Sequence, residues 1–178
     1  MNTVRMLAFA AMAAAVCGCA SRYSWRPGVP DEMRTVAVPT FRNESDVQEM
    51  GAVAARQVLR EVQREGTFRI RSVDDAALEV QGAVLSASAE SVAYDRRSGL
   101  RISGYEMTGV FQVSVIDRRA GKVLVDNRRY EARATFAAGQ DISTAQRDAA
   151  GRMADDLARQ VVDDLTNMKW NKEGGDEQ

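Results

Sequence analysis

The sequence contains no histidine, and this absence limits the chemistry open to the protein. Histidine is the commonest general base and the usual metal ligand, and Ser-His-Asp and Cys-His catalytic sites depend on it. The glycines form neither a GxGxxG nor a GxxxxGK[ST] pattern, so no nucleotide-binding loop is indicated. We therefore expect a protein that is not an enzyme and that has neither a cofactor nor a metal site.

An excess of charge of either sign is also lacking. The 178 residues include 24 lysines and arginines against 25 acidic residues, which gives a formal net charge of −1. A nucleic-acid-binding protein normally carries a basic field that attracts phosphates, so we expect no nucleic acid as a partner. The acidic pairs at 155–156 and 163–164 lie on the polar side of a predicted helix, where they are typical of a solvated face.

Cysteine is scarce, and its two copies, Cys17 and Cys19, lie together near the start of the chain. They follow an apolar run over residues 6–16, which has the length of a signal-peptide core and falls short of the ~20 residues that span a bilayer. Gly18 directly precedes Cys19, as in a bacterial lipobox. We expect residues 1–18 to be a lipoprotein signal peptide and Cys19 to be the lipidated residue.

Lipidation explains the cysteine distribution better than a disulfide does. A mature chain that starts at Cys19 has one cysteine and cannot form an intramolecular bridge. The alternative is an ordinary secretory signal with incidental cysteines. Ala20 follows Cys19, where an aspartate would resemble an inner-membrane retention signal. We therefore expect a lipid anchor on the periplasmic side of the outer membrane, with residues 19–34 as a tether.

Hydrophobic periodicity next predicts a strand and a helix. Residues 35–39 form a β-rich run that ends at a proline. A helical stripe then extends to Gly66, and two overlapping capping patterns precede it, at residues 45–48 and 46–49. The sequence leaves open which of the two patterns starts the helix.

Later segments alternate with the period of a strand. These predicted strands lie at residues 68–73, 77–94, 107–115 and 123–136. The polar linkers 95–99 and 117–121 have hairpin-loop chemistry, and Gly121 lies where a turn with a bulge needs positive φ.

A second capping box, Ser143 with Gln146, predicts a long amphipathic helix that ends near Met168. Each helix has one apolar stripe, which two-layer packing would bury. We predict an α+β fold over residues 35–168, with two amphipathic helices packed on a small mixed or antiparallel sheet as a two-layer sandwich. Residues 169–178 are charged and contain glycine, and we expect a flexible tail there.

Basic residues cluster at the two predicted hairpin loops. Successive loops of a meander lie at opposite ends of the sheet, so each cluster is a separate candidate. A guanidinium group recognises phosphate in a bidentate manner, which makes these side chains candidate contacts for an anionic partner, whereas the alternative is that they only increase solubility. The candidates are Arg96, Arg97, Arg118, Arg119 and Lys122.

Three segments resemble the LptE family of lipopolysaccharide-assembly lipoproteins. They are TVAVPTFRN at 35–43, DAALEVQG at 75–82 and VIDRRAGKVL at 115–124. The resemblance implies a lipoprotein with two helices on a small sheet, seated inside the outer-membrane barrel LptD as a plug and assembly factor. It further implies that the two proteins deliver lipopolysaccharide to the outer leaflet, where the arginine-rich loops would meet lipid A phosphates or anionic sugars.

Two alternatives from other classes stay open. A periplasm-facing lipoprotein that activates a cell-wall synthase would share the lipid anchor and the first strand and helix. It would need a longer tether, since about fifteen extended residues span only about 50 Å. A hydrolase or a small-molecule-binding lipoprotein is the other alternative, and the lack of bases and glycine loops argues against it.

Overall fold

The computed structural model describes residues 28–95, 101–137, 141–168 and 170. The predicted signal peptide, Cys19, and the candidate contacts Arg96 and Arg97 lie outside the described residues. No helix within the described ranges combines the length and the apolar character needed to span a membrane.

The described chain forms a six-stranded sheet and two α-helices. In chain order the elements are β1 (Thr35–Ala37), β2 (Arg42–Asn43), α1 (Met50–Glu65), β3 (Arg69–Ile70), β4 (Leu78–Asp95), β5 (Arg101–Asp117), β6 (Lys122–Ala137) and α2 (Ile142–Asn167). The strand order is β3-β1-β4-β5-β6, and β2 also pairs with β4. β1 is parallel to β3 and β4, and β2 is parallel to β4, whereas β4, β5 and β6 form an antiparallel meander. The predicted α+β class with a mixed sheet is confirmed.

Both helices pack on the same face of the sheet and against each other, α1 over β3 and β4 and α2 over β5 and β6. The layering is clearest in the second half of β6, where buried and exposed residues alternate from Tyr130 to Ala137. The apolar stripe of α2 is buried from Ala149 to Leu165 against this face. The opposite face is covered by no helix of the described residues, and it carries polar side chains.

Both predicted helix starts are wrong, because α1 begins later, at Met50, and α2 is capped by Asp141 instead of Ser143. Ser45 donates its hydroxyl to the side-chain oxygen of Asn43 at 2.7 Å instead of capping a helix. Glu49 is the N-cap of α1 at φ 59, and it makes no side-chain cap hydrogen bond. In α2 the cap is Asp141, whose carboxylate accepts the backbone N–H of Thr144 at 3.0 Å.

The other boundaries follow the sequence more closely. α1 ends at Glu65 with Gly66 as its C-cap at φ 81, and Gly121 has φ 64 in the β5–β6 turn, as predicted. β5 begins at Arg101 and is longer than predicted. β3 is reduced to two residues, because it is an edge strand whose partner β1 has only three.

Candidate functional site

The β5–β6 turn carries three of the predicted anion contacts, and a buried carboxylate shapes its backbone. Asp117 is 4% exposed, and its Oδ1 accepts the backbone N–H groups of Arg119 at 2.9 Å and Ala120 at 3.1 Å. The backbone N–H of Arg118 donates to the carbonyl of Ala77 at 2.8 Å. The bonds to Asp117 fix the backbone within the turn, and the bond to Ala77 holds the turn against the start of β4.

Arg118 is already engaged within the protein. Its guanidinium donates to Oε2 of Glu79 at 2.8 Å, and the Glu79 side chain is only 8% exposed whereas that of Arg118 is 39% exposed. A buried carboxylate needs a partner, because its removal from water is costly. Arg118 therefore compensates the charge of Glu79, a role that the sequence did not indicate.

Arg119 and Lys122 are exposed. Within the part of the chain that the structure describes, neither side chain forms an ion pair, so both cations face solvent. The strand ends that flank residues 96–100 lie at the other end of β5, which at 17 residues is about 55 Å long. The strand ends that flank residues 96–100 are thus far from the β5–β6 turn, as the meander predicts.

Arg128 and Arg129 are adjacent in β6, but their side chains have different surroundings. Arg128 pairs with Asp164 of α2 at 3.1 Å and lies 5.6 Å from the centre of the Tyr130 ring. The Tyr130 hydroxyl also donates to Asp164, at 2.8 Å, and burial followed by this bond raises the pKa of Tyr130. This cluster attaches α2 to β6. Arg129 lies beside Gln112 of β5 and is exposed.

A groove of about 300 Å³ lies on the uncovered face of the sheet. It forms at a break in strand pairing, since β1 leaves β4 after the Ala37–Glu79 pair and β2 joins it only at Arg42–Ala83. Pro39 lies in the intervening segment. The polar side chains that line the groove are Thr40, Arg42, Gln81, Gln112, Ser114 and Asn127.

Sequence reasoning did not find this groove. The proline that ends β1 was visible, but the return of the chain to β4 at Arg42 was not. Gly82 permits that return, because a Cβ at this position would collide with the ring of Phe41, which is buried on the helix side. Asn127 forms the other wall at a β-bulge in β6, where it has φ 48.

The fold and these features define a two-layer α+β domain with an exposed basic turn and a polar groove on the uncovered sheet face. The model of the lipopolysaccharide-assembly family LptE matches residues 33–165, and the chain belongs to this family. The sequence resemblance is thus confirmed. Comparison with curated proteins gives no match.

Solved structures share the fold at low identity. Uncharacterized lipoprotein B from Nitrosomonas europaea has a TM-score of 0.52 and 12% identity, covering 82% of this chain and 89% of that one. The hypothetical protein CT253 from Chlamydia trachomatis has a TM-score of 0.50 and 14% identity, covering 74% and 95%. A neuraminyllactose-binding hemagglutinin homologue from Helicobacter pylori has a TM-score of 0.50 and 10% identity, covering 83% and 92%.

Proposed function

We propose that this protein is an outer-membrane lipoprotein that plugs the LptD β-barrel and assists its assembly. In this role it takes part in the transport of lipopolysaccharide to the outer leaflet and in its insertion there. The family match carries the proposal, because residues 33–165 include all six strands, α1 and nearly all of α2. The lipobox at Cys19 supports a lipid anchor on the periplasmic side of the outer membrane.

The exposed basic turn supports contact with an anionic ligand. Arg119 and Lys122 face solvent without a carboxylate partner among the described residues, so they are available to a lipid A phosphate or an anionic sugar. Arg118 supports the turn through Glu79 and contributes the exposed remainder of its guanidinium. In this proposal Arg96 and Arg97, which follow β4 in sequence, provide a second basic cluster.

The proposal is tested by identifying what the protein binds in the membrane. The tagged, lipidated protein is purified from detergent-solubilised outer membrane, and the proteins that accompany it are identified by mass spectrometry. We expect a large β-barrel in nearly equal amount. A cell-wall synthase in its place would overturn the proposal in favour of the activator alternative, and purification without any partner would also overturn it.

A further inference from the structure

The groove on the uncovered sheet face has a neutral polar lining. Five of its six polar side chains are amides or hydroxyls. The sixth, Arg42, is paired with Glu44 at 2.8 Å. The lining itself holds no unpaired cation and offers both donors and acceptors to an uncharged ligand with many hydroxyl groups. Arg129, which lies beside Gln112 in β6 and is exposed, is outside this lining.

The carboxylate of Glu79 fixes the orientation of the Gln81 side chain in the groove. Its Nε2 donates to Oε1 of Glu79 at 2.9 Å, and Arg118 donates to the other oxygen of the same carboxylate. An ionised carboxylate only accepts hydrogen bonds, so Gln81 must turn its NH₂ group toward Glu79. The carbonyl oxygen of Gln81 is left for a ligand, and Arg118 acts through Glu79 as a positioning residue.

Other lining groups remain open to a ligand. Among the described residues, neither the Gln112 amide nor the Thr40 hydroxyl has a hydrogen-bond partner. Ser114 accepts the backbone N–H of Asn127 at 2.9 Å, which holds the bulge that forms one wall. Between the walls the groove is lined by Ala83, which has a small side chain, and by the backbone of Gly82.

We infer that this groove binds a saccharide through Gln81 and Gln112. Its volume of about 300 Å³ is near the lower limit of small-ligand sites, at about 300–1,000 Å³, and suits one or two sugar rings. The choice of lipopolysaccharide sugars as the source of the ligand rests on the proposed function. The saccharide chemistry itself rests on the groove alone.

The test titrates the full lipidated protein in detergent with lipopolysaccharide oligosaccharide from which acyl chains and phosphates have been removed. NMR follows the side-chain amide signals of the glutamines. We expect the signals of Gln81 and Gln112 to shift, and the signal of Gln63, exposed on α1, to stay in place. Gln81→Ala and Gln112→Ala should each weaken binding about three- to tenfold, the loss expected for one hydrogen bond, whereas Gln63→Ala should have no effect.

Two substitutions test whether Arg118 positions Gln81. Arg118→Ala should weaken saccharide binding, and Arg118→Lys, which retains a cation for Glu79, should restore it. If both variants bind the saccharide as tightly as the original protein does, Arg118 does not position Gln81.

The outcomes separate this inference from the proposed function. Absence of saccharide binding, or binding that neither groove substitution weakens, overturns the saccharide site. Binding of intact lipopolysaccharide without binding of the oligosaccharide overturns it too and leaves the proposed function standing. Saccharide binding by a protein that purifies without a barrel supports the groove and overturns the proposed function. If maltotriose, an unrelated saccharide, shifts the Gln81 and Gln112 signals as much as the oligosaccharide does, the groove is a saccharide site without preference for lipopolysaccharide sugars.

Discussion

At the scale of single residues, two helical glycines differ in what surrounds them. A Cβ at Gly51 in α1 would collide with the carbonyl oxygen of Phe41, whereas a Cβ at Gly151 in α2 would meet nothing within 4 Å. Gly51 therefore allows α1 to lie close to the segment that precedes β2, and Gly151 has no such function.

We predict that Gly51→Ala destabilises the protein by about 1–3 kcal/mol, because the added methyl group must displace backbone in a packed region. Gly151→Ala is the matched control, and it should stabilise the protein by about 0.5–1 kcal/mol through helix propensity. Urea denaturation of both variants measures the difference. Equal free energies of unfolding for the two variants would show that the close approach at Phe41 does not matter.

The basic turn gives a second prediction at this scale. Arg119→Glu together with Lys122→Glu should weaken lipopolysaccharide binding about tenfold, because two exposed charge contacts of up to about 1 kcal/mol each would be lost or reversed. The free energy of unfolding should stay unchanged, since neither side chain has an ion pair among the described residues. Binding to immobilised lipopolysaccharide measures the effect, with Arg56→Glu on the exposed side of α1 as the control. Equal binding by the turn variant and the control would mean that Arg119 and Lys122 do not contact lipopolysaccharide and only increase solubility.

At the scale of the elements, the start of α2 depends on one carboxylate. Asp141 accepts the hydroxyl of Thr144 at 2.6 Å, the backbone N–H of the same residue, and the hydroxyl of Ser143 at 2.8 Å. These hydrogen bonds, those of Thr144 first, lower the pKa of Asp141 from 3.8 to about 2. A lowered pKa means that the folded state favours the ionised cap. The stabilisation of the folded state by the ionised Asp141 cap is therefore complete above pH 3.8 and is lost as the pH falls through about 2.

We predict that Asp141→Ala lowers the thermal unfolding midpoint at neutral pH, because the first turn of α2 loses its cap. The gap between the original protein and this variant should narrow as the pH falls from 3.8 to about 2. Asp148→Ala, an exposed carboxylate further along α2, should leave the midpoint nearly unchanged. Thermal melts followed by circular dichroism at several pH values measure this, and a gap that does not depend on pH would contradict the role of the ionised cap.

The elements also show how far local patterns reach. β4, β5 and β6 were predictable because each strand has a buried face and an exposed face, which produce period-two alternation. The helix starts were not predictable in this way. In α2, Asp141 binds Ser143 and caps the helix in its place, whereas in α1 Ser45 binds Asn43 and the N-cap Glu49 makes no side-chain cap hydrogen bond. A capping pattern shows only that a residue is able to cap a helix. Whether it does so depends on the other hydrogen bonds that are open to its side chain.

The site was less predictable than the fold, because its decisive contacts are not local. Arg118 and Glu79 lie 39 residues apart in sequence and meet only when β4 pairs with β5. The groove likewise requires β2 to return to β4 after a break. The exposed cations Arg119 and Lys122 were accessible to sequence reasoning, because a polar turn between two strands places its side chains in solvent whatever the partners are.

At the scale of the whole molecule, the chain enters the domain at the end that carries the basic turn. β1 pairs with the first residues of β4 through Val36 and Leu78, and Leu78 pairs with Asp117 beside the turn. From Cys19 to Gly28 the chain can span at most about 30 Å. A lipid on Cys19 would therefore keep this end of the domain close to the membrane, within reach of charged headgroups.

The anchor itself gives the last prediction. Cys19→Ala should move the protein from the membrane fraction to the soluble fraction, because the mature chain would lose its lipids while the domain from β1 onward would keep its packing. Cys17→Ala is the matched control, and it should stay membrane-bound, since this residue belongs to the predicted signal peptide. Fractionation after salt and carbonate washing measures the distribution, and circular dichroism checks that both variants are folded. Retention of Cys19→Ala in the washed membranes, or release of both variants alike, would mean that Cys19 is not the lipidated residue.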